Sequence, residues 1–195
     1  MIVTLIGIFL LGILVIAALI VESGRWNSKD IAVLSVLTSF AVLGRLPFAA
    51  IPGFQFTTFF VIISGLHLGS RAGMSCGFAA ALVTNFFLGH GPWTPWQMMA
   101  WGCCGLLAGV FKKLIPSPTR WGMAFLGVAC AFFAALLLNF YSWLFYYSPL
   151  SLQTFIAANI LSFPYDAAHA ITNAVLLFTL APSILRLLEN FSQKK

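Results

Sequence analysis

The chain has 195 residues, is 61% hydrophobic and only 7% charged, and has a mean hydropathy of +1.01, whereas soluble domains carry roughly 25% charged residues. Such a composition describes an all-α membrane protein and leaves no room for a soluble catalytic domain. The formal charge of +6 comes from basic residues set singly or in pairs beside apolar runs. No aromatic-interleaved basic face exists, which argues against a nucleic-acid partner and reads instead as membrane topology.

In chain order, the apolar runs and their Pro/Gly punctuation predict spans over 2–21, 30–46, 54–69, 72–88, 95–112, 121–147 and 166–189. The run from Met1 to Val21 lacks a basic leading region and a small-x-small cleavage site, so it reads as a retained helix rather than a signal sequence. With its linker it forms a unit over 1–29, leaving 30–195 as the main membrane domain. The 54–69 run is short for a crossing and is tilted, broken or shielded by neighbours. A short additional helix is placed near 152–162.

Alternating the seven spans puts Arg25, Lys29, Arg71, Lys112, Lys113, Arg120, Arg186, Lys194 and Lys195 on one side and Arg45 alone on the other. Because basic loops are retained in the cytoplasm, the C-terminus is assigned there. The segments 46–54, 89–95 and 148–165 then face outward.

That outer side collects the unusual chemistry. Arg45 runs against the charge trend; it either snorkels to the interface or serves a ligand site, with Asp166 as its candidate partner. Asp166, His169 and Asn173 fall at i, i+3 and i+7, one stripe of the last predicted span. Asp166 there is either a helix cap after Pro164 or a ligand group, and His169 and Asn173 are either interhelical hydrogen-bonding residues or part of the same site. Between Leu88 and Gly102 lie Pro92 and Pro95 among Trp93, Trp96 and Trp101, with His90 and Gln97. Prolines stiffen such a loop and suit a helix start near Thr94–Gln97, and tryptophans make rigid walls. Aromatic belts account for part of this pattern, including Trp143, Phe145, Tyr146 and Tyr147.

Enzymatic readings lack their residues. The acids are Glu22, Asp30, Asp166 and Glu189, the predicted topology separates Asp30 from Asp166, and neither HExxH nor a Walker motif occurs. Energy for uphill transport would have to come from another chain. Cys76, Cys103, Cys104 and Cys130 lack metal-ligand spacing and read as small packing residues. Gly65, Gly69, Gly73 and Gly77, with Gly105 and Gly109, predict close internal helix packing. Ala32, Ser35 and Ser39 form a separate small face suited to docking another membrane subunit.

Three segments together, "GRLPFAAIPGFQFTTFFVIISGLHLGSRAG", "NFFLGHGPWTPWQMMAWGCCGLLAG" and "FPYDAAHAITNAV", resemble the substrate-binding S components of energy-coupling factor (ECF) vitamin transporters, notably the cobalamin-specific branch. The resemblance spans roughly residues 30–189. It implies a six-helix membrane core, to which the predicted helix over 2–21 is an addition. It also implies a membrane T subunit and two ATP-binding-cassette ATPases as partners, with ATP used by those partners and no permanently bound cofactor. In such systems the S component topples in the bilayer to deliver its vitamin. By the resemblance, Arg45, Gln55, Trp93, Thr94, Trp96 and Gln97 face a ligand, expected to be cobalamin, with Tyr146, Tyr165, Asp166 and His169 nearby. No metal ligand and no catalytic residue is implied. The T subunit would dock on Ala32, Ser35 and Ser39, although a clean AxxxA pattern, usual at that place, is missing.

Overall fold

A computed structural model of the protein describes Gly12 and residues 26–51 and 53–193. The span predicted over 2–21, and with it most of the 1–29 unit, lies outside the described residues. Among those described there are seven α-helices and no strand: α1 Ser28–Leu43, α2 Thr57–Leu68, α3 Ser70–Leu88, α4 Trp93–Leu114, α5 Arg120–Tyr146, α6 Leu152–Thr179 and α7 Ala181–Gln193.

Side-chain caps start three of these helices. Asn27 accepts from the Asp30 backbone N–H while the Asp30 carboxylate accepts from that of Asn27, a capping box that satisfies two otherwise orphaned donors. Thr119 caps α5 at Gly122, and Ser151 with Thr154 forms a second box at the start of α6. Between α2 and α3 the chain reverses on Gly69 alone, whose φ of 91° lies in the left-handed region that glycine enters without strain.

The predicted glycine packing is realised as a seam where α2 and α3 press against α4. A methyl group on Gly105 would collide with the backbone of Gly73, one on Gly65 with the carbonyl of Gly105, and one on Gly109 with Ser70. Without side chains there, three helices approach at backbone contact, as small-residue motifs permit in apolar surroundings. From Thr57 to Leu66 every residue of α2 except Phe60 is buried, so this 12-residue helix is sheathed by α1, α3, α4 and α5. Shielding is thus the reason for its shortness. Cys104 and Cys130 point their thiols at each other's backbone carbonyls, and all four cysteines are free.

The last two elements differ from the expectation. In place of an outer segment over 148–165 with a short helix near 152–162 and a separate span over 166–189, one helix, α6, begins at Leu152 and carries Pro164 in its interior. Proline disfavours a helix interior, which is why Pro164 reads as a boundary, yet the capping box starts the helix twelve residues earlier. At Leu180 the axis bends by 52° into α7, where Pro182 falls in the first turn, a position that tolerates its missing N–H. Asp166 therefore lies inside a helix and caps nothing.

Lys29, Arg71, Lys112, Lys113, Arg120 and Arg186 gather at one end of the bundle, where His67 of α2 also meets Ser192 of α7. Arg45 lies at the other, aromatic end. Between the two ends the flanks carry exposed apolar side chains such as Phe86, Phe87, Phe125, Leu136, Leu161 and Val175, far more than a water-facing surface keeps. This makes the protein membrane-associated. By length and composition, α5 alone among the described helices suffices to cross a bilayer, joined by the bent pair α6 and α7 if that is one span. The other predicted spans fall short because α1 and α2 have 16 and 12 residues, while polar residues and glycines dilute α3 and α4.

Candidate functional site

The aromatic end holds two polar clusters built on different helices. In the first, Arg45 follows the end of α1, and its Nη1 donates to Thr84 Oγ1 at 2.5 Å and to Asn85 Oδ1 at 3.3 Å on α3. Asn85 Nδ2 donates in turn to Thr94 Oγ1 at 2.9 Å and Gln97 Oε1 at 2.8 Å on α4. The Asn85 amide thereby uses both protons and its carbonyl, its main hydrogen-bonding capacity. The guanidinium also lies over the Trp101 ring, 4.5 Å from its centroid, a cation–π contact. Arg45 is thus tied to Thr84, Asn85 and Trp101 and does not pair with Asp166, the partner expected for it.

The second cluster lies between α5 and α6. Asn139 Nδ2 donates to Asp166 Oδ2 at 3.1 Å and to Ser162 Oγ and Asn159 Oδ1, while the Ser162 hydroxyl donates to the same Asp166 oxygen at 2.7 Å. Oδ1 of Asp166 takes no hydrogen bond from any described residue. Beside it is a cavity of about 130 Å³ bounded by Gln55, Trp101, Asn139, Tyr165, Asp166 and His169, with small and apolar residues completing the wall.

Trp101 joins the two clusters. Its Nε1 donates to Thr58 Oγ1 at 3.1 Å, and that hydroxyl sits 3.0 Å from His169 Nε2. Thr58 Oγ1 thus accepts from the indole and shares a second hydrogen bond with His169 Nε2, in which the imidazole tautomer sets which group donates. Gln55 and Nδ1 of His169 have no hydrogen-bond partner among the described residues. Asp166, His169 and Gln55 thus line the cavity while each keeps polar capacity that the hydrogen-bond network does not use.

The predicted residues divide accordingly. Gln55, Tyr165, Asp166 and His169 line the cavity; Arg45, Thr94 and Gln97 belong to the interhelical network. Trp93 and Trp96 pack instead with Tyr141 in a separate aromatic cluster. Trp96 Nε1 is buried there without a partner. Tyr146 is 67% exposed and meets this cluster at Tyr141, the two hydroxyls 3.1 Å apart and the rings edge to face with centroids 5.9 Å apart. Sequence reasoning missed Thr58, Thr84, Asn85 and Asn139, and it read Trp101 only as one of three rigid aromatic walls. A lone amide inside an apolar helix, as in "LLLNF" around Asn139, was the available signal. Away from these clusters Ala32, Ser35 and Ser39 lie exposed along α1, with the Ser39 hydroxyl donating to the carbonyl of Ser35.

This fold and polar end define a helical membrane-associated protein whose hydrogen-bonding groups surround a solute-sized space. The family model for "ECF transporter, substrate-specific component" matches residues 29–181, well over half of the chain, and the chain belongs to that family. Comparison with curated proteins and with solved structures gave no match. Substrate-specific components are non-catalytic subunits. In ECF systems ATP is consumed by partner ATPases, a small-molecule ligand is carried, and a T subunit completes the assembly.

Proposed function

We propose that this chain is the solute-capturing subunit of an ATP-driven vitamin importer and that it takes its ligand at the aromatic end. The observation that carries the reading is the cavity between Trp101, Asp166 and His169, in a family-matched domain and on the side of Arg45 rather than of the clustered Lys and Arg. In this reading the protein crosses a bacterial cell membrane several times, residues 1–29 are an accessory helix with its linker, and 30–195 form the binding domain. The basic end and the C-terminus face the cytoplasm, because Lys and Arg resist translocation. A T subunit docks on the exposed face of Ala32, Ser35 and Ser39, two ATPases drive it, and toppling of the domain carries the solute inward.

Two ligand sizes follow from different observations. Likeness to the cobalamin-specific branch favours a corrinoid, held by Arg45, Gln55, Trp93, Thr94, Trp96 and Gln97 with Tyr146, Tyr165, Asp166 and His169 near them. The cavity favours something smaller: a space of about 150 Å³ takes one benzene ring, and 130 Å³ is of that order. A corrinoid would have to rest across the mouth with only one side group inserted.

The test is co-purification of the full chain with its T subunit and ATPases, followed by uptake into liposomes. Uptake of cobalamin that requires ATP hydrolysis supports the corrinoid; uptake of a compact vitamin instead supports the capture role with the smaller ligand. A chain that binds no vitamin and brings down neither ATPase is a scaffold, and the reading fails.

A further inference from the structure

We infer that the apolar groove between α1 and α7 is the seat of this chain's own N-terminal run, residues 2–21, laid antiparallel to α1 as one more membrane helix. Both α1 and α7 pack on α2 and leave between them a groove of about 320 Å³, lined by Ala32, Val33, Val36, Leu187, Leu188 and Phe191. No polar side chain lines it. Further along the same side of α1 the groove continues as a stripe, because Val36, Phe40 and Leu43 follow Ala32 at i+4, i+8 and i+11, each at least half exposed. Phe40 stacks on Phe60 with ring centroids 5.4 Å apart, and Phe60 is the residue between Thr57 and Leu66 that the neighbours of α2 leave unburied. The gap in the sheath of α2 and the bare side of α1 are therefore one surface.

The occupant follows from the length of chain before α1 and from where it joins. Residues 2–21 carry no charged side chain and suffice for one crossing, about 30 Å at 1.5 Å per residue. Only Glu22–Asn27 separate them from Ser28, and connections of about 2–8 residues join antiparallel neighbours. Ala32 is one turn into α1, so the groove opens beside that junction. A tether this short supplies an effective concentration on the order of millimolar, which favours the run over an untethered partner. Within the run, Gly12 is helical and open, with nothing within 4 Å of the place of a Cβ. By helical period the opposite side holds Gly7, Leu10, Leu14, Ala17 and Val21, a mixture of small and large apolar residues suited to packing in lipid. Folded back over a level link, Ala17, Leu14 and Leu10 meet Ala32, Val36 and Phe40 in turn.

This placement divides α1 between two neighbours. Ser35 and Ser39 precede Val36 and Phe40 by one residue each, about 100° round the helix. The run closes the Val36 side, the serine side stays open to a T subunit, and Ala32 lies on the border. Neither a ligand nor the capture role enters the inference.

The test is disulfide formation within the full chain in membranes, between Leu14→Cys and Val36→Cys, with Leu10→Cys and Phe40→Cys as an independent pair. Such a bond needs Cα atoms within about 7 Å of each other. Val36 and Phe40 are exposed, where substitution costs little, and gel filtration establishes that each variant folds. After oxidation, mass spectrometry of proteolytic fragments is expected to find both pairs joined, with two controls at background: Gly12→Cys with Val36→Cys, and Leu14→Cys with Ser39→Cys. If neither pair joins, lipid fills the groove and the inference falls. It falls equally if the Ser39 control joins as well as the Val36 pair, or if co-expressed chains carrying one cysteine each join to one another, which gives the groove to a second copy. Co-expression of the T subunit should leave both bonds intact; their loss gives the groove to that subunit and overturns the placement.

Discussion

The two polar clusters at the aromatic end use similar side chains to opposite effect. Around Asn85, the amide is fully committed and its partners come from the α1 terminus, α3 and α4. Around Asp166, one carboxylate oxygen is bonded twice and the other is open onto a cavity. A buried polar network stabilises only when its members are satisfied, and the low dielectric that strengthens each bond also raises the cost of an unmade one. The closed cluster is therefore scaffold, and the open one is where a solute can replace lost water contacts.

Substitutions sharpen that contrast, beginning with the glycine seam that supports both clusters. Gly105→Val should abolish folding, because the new Cβ meets the Gly73 backbone, which cannot repack as a side chain would; the cost exceeds about 3 kcal/mol and is read as loss of monodisperse protein in gel filtration. Next, Asn85→Leu strips Arg45 of an acceptor and Thr94 and Gln97 of a donor. It should cost about 2–4 kcal/mol, seen as a lower thermal midpoint in detergent. An unchanged midpoint would mean the closed cluster is no scaffold.

Asp166→Asn sits on the other side of the comparison. It should change stability by no more than about 1 kcal/mol, since an amide oxygen still accepts from Asn139 and Ser162, while solute affinity falls. If it destabilises as strongly as Asn85→Leu, the distinction between closed and open clusters collapses. Trp96→Phe removes a buried N–H that has no partner, so the lost ring area is partly offset and the midpoint should move by under about 1 kcal/mol. A large fall would place a bridging water or a lipid group on Nε1. The smallest effect belongs to Tyr146→Phe, within about 0.5 kcal/mol, because that side chain is 67% exposed.

Much of the framework was legible in sequence. Alternating apolar runs, the glycine periodicity and the one-sided distribution of basic residues specify the helices from α1 to α5, the seam and the two chemically different ends. The stretch from Ser148 to Gln193 was less legible, because Pro164 carries the local signature of a boundary while the Ser151–Thr154 box, the twelve helical residues before the proline and packing on α5 carry α6 through it. Site residues were half legible. Asp166 and His169 announce themselves by their stripe, but nothing local distinguishes Thr94, absorbed into a network, from Gln55, left open on a cavity.

Sequence by itself determined what solvent this protein meets, how its helices can approach and which end collects aromatic and polar groups, since these depend on composition, residue size and periodicity. Only the tertiary structure decided that Arg45 bonds Thr84 and Asn85 rather than Asp166, that Trp96 and Trp101 serve different clusters, and that Asp166 retains a free oxygen. Those outcomes turn on distances between residues up to 111 positions apart, as for Thr58 and His169. A hydrogen bond, unlike apolar burial, is made or lost within a few tenths of an ångström.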